Sequence, residues 1–393
     1  MDLFDKCRQF DFALQSARAR NRFFYSRAIS PAAAPLATRD GRELINLGSN
    51  NYLGLTEHPK VKAAAAAAIA EYGTGSAGSR LLTGTTPLHL EMEQALAGFK
   101  GVEAVVTFST GFMALSATVS TLAGEGDFIF SDELNHASII DGCRRSQATT
   151  AVYRHNDLAD LEAKLKTTPD RSAKLIVTDG VFSMEGDICD LPGLRRLADA
   201  YNCRLMVDDA HATGVLGKTG RGTAEHFDME GKVDVTSGTL SKSLAAIGGF
   251  SGGPHAVAEF LRYNARQSVF SASLPPSVAA TVIAALDILR SEPERVERLR
   301  ANARLMSNEL KAAGFAVHDH GTPILPIAVN DDLAYQAVGR LEQEGVFANP
   351  VVFPAVPPGE AIIRISLMAT HTEEQLQTAL QKFILVGKEL RII

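Results

Sequence analysis

Five apolar runs, the first four each trailed by an amphipathic segment, constrain this chain more than any other feature. VEAVVTF (102–108) precedes a helical pattern that starts about Gly111, and DFIFSD precedes HASIIDGCRRS. TTAVYRH then leads to NDLADLEAKLK, AKLIVTD to LPGLRRLADAYN, and CRLMVDD closes the series at Asp209. Apolar strands alternating with helices of this kind bury both faces of a sheet, so the expected architecture is α/β, with a mostly parallel central sheet covered by helices.

Upstream, residues 4–30 read as a short helix and an arm, RELINLGSNNYLGL as a brief strand entering a polar turn, and VKAAAAAAIAEYG as a helix closed by Gly73. Downstream, residues 275–315 turn long and helical, and PILPIAVN, LAYQAVGRLEQEGV, AIIRISL and TEEQLQTALQKFILVGKEL read as a smaller α/β unit. The expected division is 1–48 for the N-terminal helix and arm, 49–285 for the large domain and 286–393 for the small C-terminal domain. A chain of 393 residues suits a large domain plus a smaller one.

Composition narrows the functions. With 46% hydrophobic and 21% charged residues and a net charge of −6, the chain has no polyelectrolyte character, and nucleic acid is not an expected partner. MDLFDKCRQFDF is charged from its second residue, so no secretory signal is expected, and no apolar stretch reaches membrane-spanning length. The four cysteines lie far apart without a C-x-x-C, against a zinc knot or a disulfide framework; a reducing cytoplasm fits best. Peripheral contact with a membrane is left open.

GTGSAG (73–78) matches G-x-G-x-x-G, but a dinucleotide site needs a strand before it and a helix after it, and here a helix precedes it. STGFMALSATVS (109–120) follows a strand and opens a helix, so the amides of Gly111 and Phe112 form a ready anion site, unless Ser109 or Thr110 is an ordinary cap and no more. RLMVDDAHATG places Asp208 and His211 at the carboxyl end of a buried strand, where open parallel sheets gather ligands. No further carboxylates or histidines complete a metal site, and no metal is expected.

GTLSKSLAAIGGF (238–250) sets Lys242 among small residues, where a desolvated amine becomes a nucleophile for carbonyls; Thr239 and Ser241 offer hydroxyls for a phosphate beside it. Pyridoxal phosphate needs these parts together: a lysine, a carboxylate that keeps the ring nitrogen protonated and an anion site.

The set SNNYLGL, NHASIIDG, DGVFSMEGD, MVDDAHATGVLG, GTLSKS, FSASLPPS and RISLMATHT resembles the α-oxoamine synthases, fold-type I pyridoxal phosphate enzymes that join an amino acid to an acyl-CoA with loss of CO2. The resemblance runs over nearly the whole chain. It implies Lys242 as the lysine carrying the cofactor, Asp208 as partner of the ring nitrogen, His136 as the imidazole stacked on the ring, and His211 and Ser183 near its 3-hydroxyl. It further implies Gly111, Phe112, Thr239 and Ser241 on the phosphate, with Ser271 reaching over from a second subunit of a homodimer whose active sites lie at the subunit interface. Arg364 resembles the substrate-carboxylate arginine and Asn50 a supporting amide, with Asn51 as competitor. Taken alone, His136 also reads as a residue near a helix cap and Arg364 as a locally paired strand arginine.

Within the family, LSKS followed by GGF, with FSASLPPS and NPVVFPAVPP, most resembles the bacterial serine palmitoyltransferases, which implies L-serine and a long-chain acyl-CoA as substrates. The alternatives are an 8-amino-7-oxononanoate synthase, a glycine-using 2-amino-3-ketobutyrate ligase and, outside this chemistry, an aminotransferase.

Overall fold

A computed structural model describes residues 2–20, 24–31 and 33–393; residues 21–23 of the expected arm lie outside the described residues. The chain forms two compact units, Asn51–Arg300 and a second one assembled from Met1–Asn50 with Ala301–Ile393.

The larger unit is built on a seven-stranded sheet, in spatial order Ala104–Phe108, Gly249–Gly253, Val235–Thr239, Arg204–Asp208, Lys174–Asp179, Phe128–Asp132 and Thr149–Tyr153. Gly249–Gly253 runs antiparallel to both of its neighbours, and the other pairings are parallel. The five strands expected from apolar runs are all present. Side chains alternate across the interior strands, whereas the edge strand Thr149–Tyr153 is largely exposed: Met206 joins the core on one face with Val177 and Leu115, while Leu205 and Val207 join the other with Ile176 and Leu194. That two-sided burial is why the runs are continuously apolar rather than alternating.

Two elements escape the sequence pattern. The strand Gly249–Gly253 reads GFSGG and carries no period of its own; it is defined by close backbone approach, since a Cβ on Gly249 would lie 2.5 Å from Gly111 Cα. The helix Pro87–Lys100 begins at a capping box between Thr86 and His89, inside a stretch dominated by small polar residues. GTGSAG is a loop whose first glycine ends the helix Pro59–Tyr72 at φ 80°.

In the smaller unit the strand Arg42–Asn46 pairs in parallel with Val346–Phe347, so the N-terminal arm is part of the small domain rather than a separate segment as its limits of 1–48 implied. The expected boundary at 285 also moves: the helix Pro276–Ser291 packs on Pro59–Tyr72 and Pro87–Lys100 and stays with the large unit. A second small sheet, Ile324–Ala328, Ile362–Ser366 and Asn349–Val351, is antiparallel with Ile362–Ser366 in the middle.

Candidate active site

The carboxyl ends of the central strands converge on a cavity of about 340 Å3. Register explains the convergence. Asp179 is paired with Asp208, Asp208 with Ser237, and Thr239 with Gly249, which in turn faces Phe108, so the residues that end these strands stand along one edge.

Asp208 is 4% exposed, and one of its oxygens accepts the Ala210 N–H at 2.9 Å. Burial raises its pKa to about 6, against the opposing pull of the Lys242 charge. Asp179, also 4% exposed, goes well above the usual carboxylate range, first because it is buried and then because Asp208 is beside it. Its Oδ1 is buried without a hydrogen-bond partner. Two adjacent carboxyls with little to neutralise them favour a cationic ligand at this floor. Lys242 lines the same cavity, in the tight connection between the strands Val235–Thr239 and Gly249–Gly253. That connection is closed by Leu240 N–H to Gly248 O at 2.9 Å and Ala245 N–H to Lys242 O at 3.1 Å.

Another part of the wall has the features of an anion cradle. Thr110 caps the helix Gly111–Leu122, its hydroxyl accepting the Met113 N–H at 3.1 Å. The amides of Gly111 and Phe112 come one turn too early to donate within the helix. Both residues line the cavity, at the positive end of the helix dipole. The cap and the anion site are therefore one device. Thr239 closes the cradle: its hydroxyl donates to Gly248 O at 3.0 Å, and having only one proton it must accept from Ser241 Oγ at 2.7 Å. A Cβ on Gly111 would meet Thr239 Cβ at 2.7 Å, so only glycine lets the helix start sit this close to the strand end.

His136 caps the helix Ala137–Arg145, its Nδ1 accepting the Ser138 N–H at 3.3 Å and lying 2.7 Å from Ser138 Oγ. The protein mass around it, and then the Lys242 charge, lower its pKa, so near neutral pH the ring is uncharged with its proton on Nε2. Its ring meets Phe112 edge-on at 6.2 Å. His211, 7% exposed, is fixed by the hydroxyl of fully buried Tyr52, 2.7 Å from Nδ1.

Eight of the expected site residues thus line one cavity: Gly111, Phe112, His136, Asp208, His211, Thr239, Ser241 and Lys242. Four do not. Ser183 stands in a turn between the bridged residues Val181 and Ile188, and of that hairpin Val181 reaches the cavity wall. Ser271 lies in a separate groove with Arg145 and Phe270. Arg364 and Asn50 belong to the smaller unit, where the Arg364 guanidinium is 6% exposed and donates to Ser366 Oγ at 3.0 Å and to Asn50 Oδ1 at 3.3 Å. Asn51 instead donates to Thr56 at 2.8 Å, within its own turn.

Sequence reasoning passed over Asp179 and Tyr52, although both stand in quoted motifs; a carboxylate ending an apolar strand in line with Asp208 was the readable sign of the first. Asp209, next to Asp208, is not part of the cavity. It forms a buried ion pair with Lys100 at 2.6 Å and accepts from Thr223 Oγ1 at 2.6 Å.

These parts fit pyridoxal phosphate: an amine for its aldehyde, a buried carboxylate seeking a ring cation, and a cradle that a single Cβ would fill. The family model "Aminotransferase class I and II" matches residues 42–383. Among curated proteins, the chain is 46% identical to the serine palmitoyltransferase of Sphingobacterium spiritivorum over 96% of its length and 95% of the relative's. It is 48% identical to the 8-amino-7-oxononanoate synthase of Symbiobacterium thermophilum, over 91% and 92%. A solved structure of serine palmitoyltransferase with its pyridoxal phosphate internal aldimine superposes over all of both chains with a TM-score of 0.95 at 36% identity. The chain belongs to the class I and II aminotransferase family, within its α-oxoamine synthases, and is a fold-type I pyridoxal phosphate-dependent acyltransferase.

Proposed function

We propose that the enzyme condenses a small L-amino acid, L-serine first, with a long-chain acyl-CoA, palmitoyl-CoA first, giving an α-amino ketone (3-ketodihydrosphingosine from that pair), CoA and CO2. The observation that carries this reading is the cavity that joins Lys242, buried Asp208 and the Gly111 cradle. Once bound, the pyridoxal ring supplies an electron sink for the charge left at the amino acid Cα. Lys242 Nζ takes the Cα proton and later returns one. The Asp208 carboxylate keeps the ring nitrogen protonated. Gly111, Phe112, Thr239 and Ser241 would hold the phosphate, His136 would pack against the ring, and His211 and Ser183 would act near its 3-hydroxyl. Arg364, oriented by Ser366 and Asn50, binds the amino acid carboxylate, because a planar guanidinium fixes a planar anion better than a point charge does.

We assign the active form to a homodimer with active sites at the interface. Phe270, 76% exposed, and Phe260, 47%, line one groove with Ser271, an apolar surface suited to a second copy. All four cysteines are free, in keeping with a cytoplasmic enzyme. Among the described residues no helix is long and apolar enough to cross a membrane.

The relative at 48% identity favours a second reading, alanine with pimeloyl-CoA, and a glycine-using ligase is a third. A CoA-release assay crossing serine, alanine and glycine with acetyl, pimeloyl and palmitoyl thioesters decides: the highest kcat/KM is expected for serine with palmitoyl-CoA. Turnover confined to alanine with pimeloyl-CoA, or to glycine with acetyl-CoA, overturns that choice. Amino-group transfer to a keto acid without CoA would overturn the condensation itself.

A further inference from the structure

Outside the cavity, one titratable cluster is tied to two of its walls. The imidazole of His155 lies between two carboxylates, with Nδ1 2.9 Å from Asp132 Oδ1 and Nε2 2.7 Å from Asp187 Oδ2. Both ring nitrogens therefore donate, which requires the imidazolium. Burial alone would lower the His155 pKa, but the hydrogen bonds and charges of Asp132 and Asp187 outweigh it and lift the pKa to about 10. Asn156 completes the cluster, its backbone N–H reaching Asp132 Oδ2 and its side-chain amide Asp187 Oδ2, each at 2.9 Å. Glu133 accepts the His155 backbone N–H at 2.8 Å.

Each carboxylate shapes a different loop. Asp132 ends the strand Phe128–Asp132 and accepts the Leu134 N–H at 2.9 Å on its side chain and the Asn135 N–H at 3.2 Å on its carbonyl, forming the turn that delivers His136. Asp187 closes the hairpin that carries Ser183, its carbonyl accepting the Phe182 N–H at 3.0 Å. The His155 ring packs edge-on against Phe182 at 4.4 Å.

We propose that His155 is a positioning residue of the cofactor site: a cation that never meets the substrate but, by bridging Asp132 and Asp187, holds the His136 turn and the Ser183 hairpin in one register. The inference rests on the cofactor reading of the cavity above. A neutral residue at 155 leaves two carboxylates facing each other, and the two loops separate. Catalytic geometry is sensitive to displacements of this size.

The test measures the pyridoxal phosphate dissociation constant and the visible circular dichroism of the bound cofactor, which reports ring orientation, in wild type, Lys242→Ala, His155→Phe, His155→Arg and Asp187→Asn. His155→Phe is expected to weaken binding roughly 10-fold to 100-fold and to change the dichroic band. Asp187→Asn is expected to do so less, and His155→Arg, which can reach both carboxylates, to recover most of the loss. Should His155→Phe fail to fold, the other two variants carry the same comparison. Lower thermal stability with cofactor affinity and dichroism unchanged in all of them would reduce His155 to a structural role and overturn the proposal. If wild type and Lys242→Ala were spectroscopically alike, the cavity reading would fail, and the His155 proposal with it.

Discussion

Two sets of carboxylates stand at the carboxyl ends of strands of one sheet or in the loops just beyond them, and they differ in what neutralises them. Asp209, Asp132 and Asp187 are paired within the protein, the first by Lys100 and the other two by His155. Asp208 and Asp179 form the other set: burial raises their pKa values against the pull of the Lys242 charge, and an orphaned oxygen does not tell the sets apart, since Asp179 Oδ1 and Asp187 Oδ1 both lack a hydrogen-bond partner. The paired set closes loops, and the unpaired set faces a cavity. Buried charge that a fold leaves uncompensated marks where a ligand is expected to supply the compensation.

The largest effect should come from removing the amine that completes the unpaired set. Lys242→Ala is expected to lower kcat by about 10²–10⁴-fold, the usual weight of a general base, while thermal stability changes little; CoA release checks it. On the paired side, Lys100→Met strands Asp209 in the interior and should cost about 3–5 kcal/mol of stability in a denaturant titration. A small stability loss there would mean that Asp209 is as open as Asp208, and the contrast would collapse.

How much of this contrast the sequence showed depends on the residue. Lys242 and Asp208 were legible because each is a charged group where apolar or small neighbours give it no reason to be. Asp208 was told from Asp209 by the family resemblance and not by local chemistry, since the partner that distinguishes them, Lys100, lies 109 residues upstream of Asp209 in a helix that the pattern did not reveal. The sheet was readable where apolar or β-branched residues run along a strand, at its exposed edge as well as inside, and was missed at Gly249–Gly253, where backbone contact replaces side chains. Asn50 and Asn51 look equivalent in SNNYLGL, and only the fold sends one to Arg364 and the other to Thr56.

Acid–base behaviour sharpens the comparison further. A carboxyl with a folded pKa of about 6 against about 3.9 unfolded binds more protons in the native state, so its contribution is fully present below about pH 4 and lost as the pH rises through about 6. Cofactor-free protein should therefore lose about 1–3 kcal/mol over that window. Asp208→Asn should flatten the slope, and so should added pyridoxal phosphate, whose ring cation would meet the carboxylate in the proposed assignment. Thermal melts between pH 4 and 7, with and without cofactor, read this out; an equally steep slope in Asp208→Asn would assign it elsewhere.

The smallest effect should be the most discriminating. If Asp179 carries its proton in the folded enzyme, asparagine copies it in size and charge. The amide oxygen can still take the His136 backbone N–H that the carboxyl accepts, and the NH2 group stands where the acid O–H was. Asp179→Asn should then change stability by less than about 1 kcal/mol and cofactor affinity by no more than a few-fold, whereas Asp209→Asn, which removes charge from a closed pair, should destabilise by several times as much. Isothermal titration with pyridoxal phosphate beside denaturant melts of both variants makes the comparison. A tenfold change in cofactor affinity for Asp179→Asn would show that the residue is ionised beside Asp208. The cavity floor would then carry two negative charges rather than one, and more than a single ring cation would be needed to balance it.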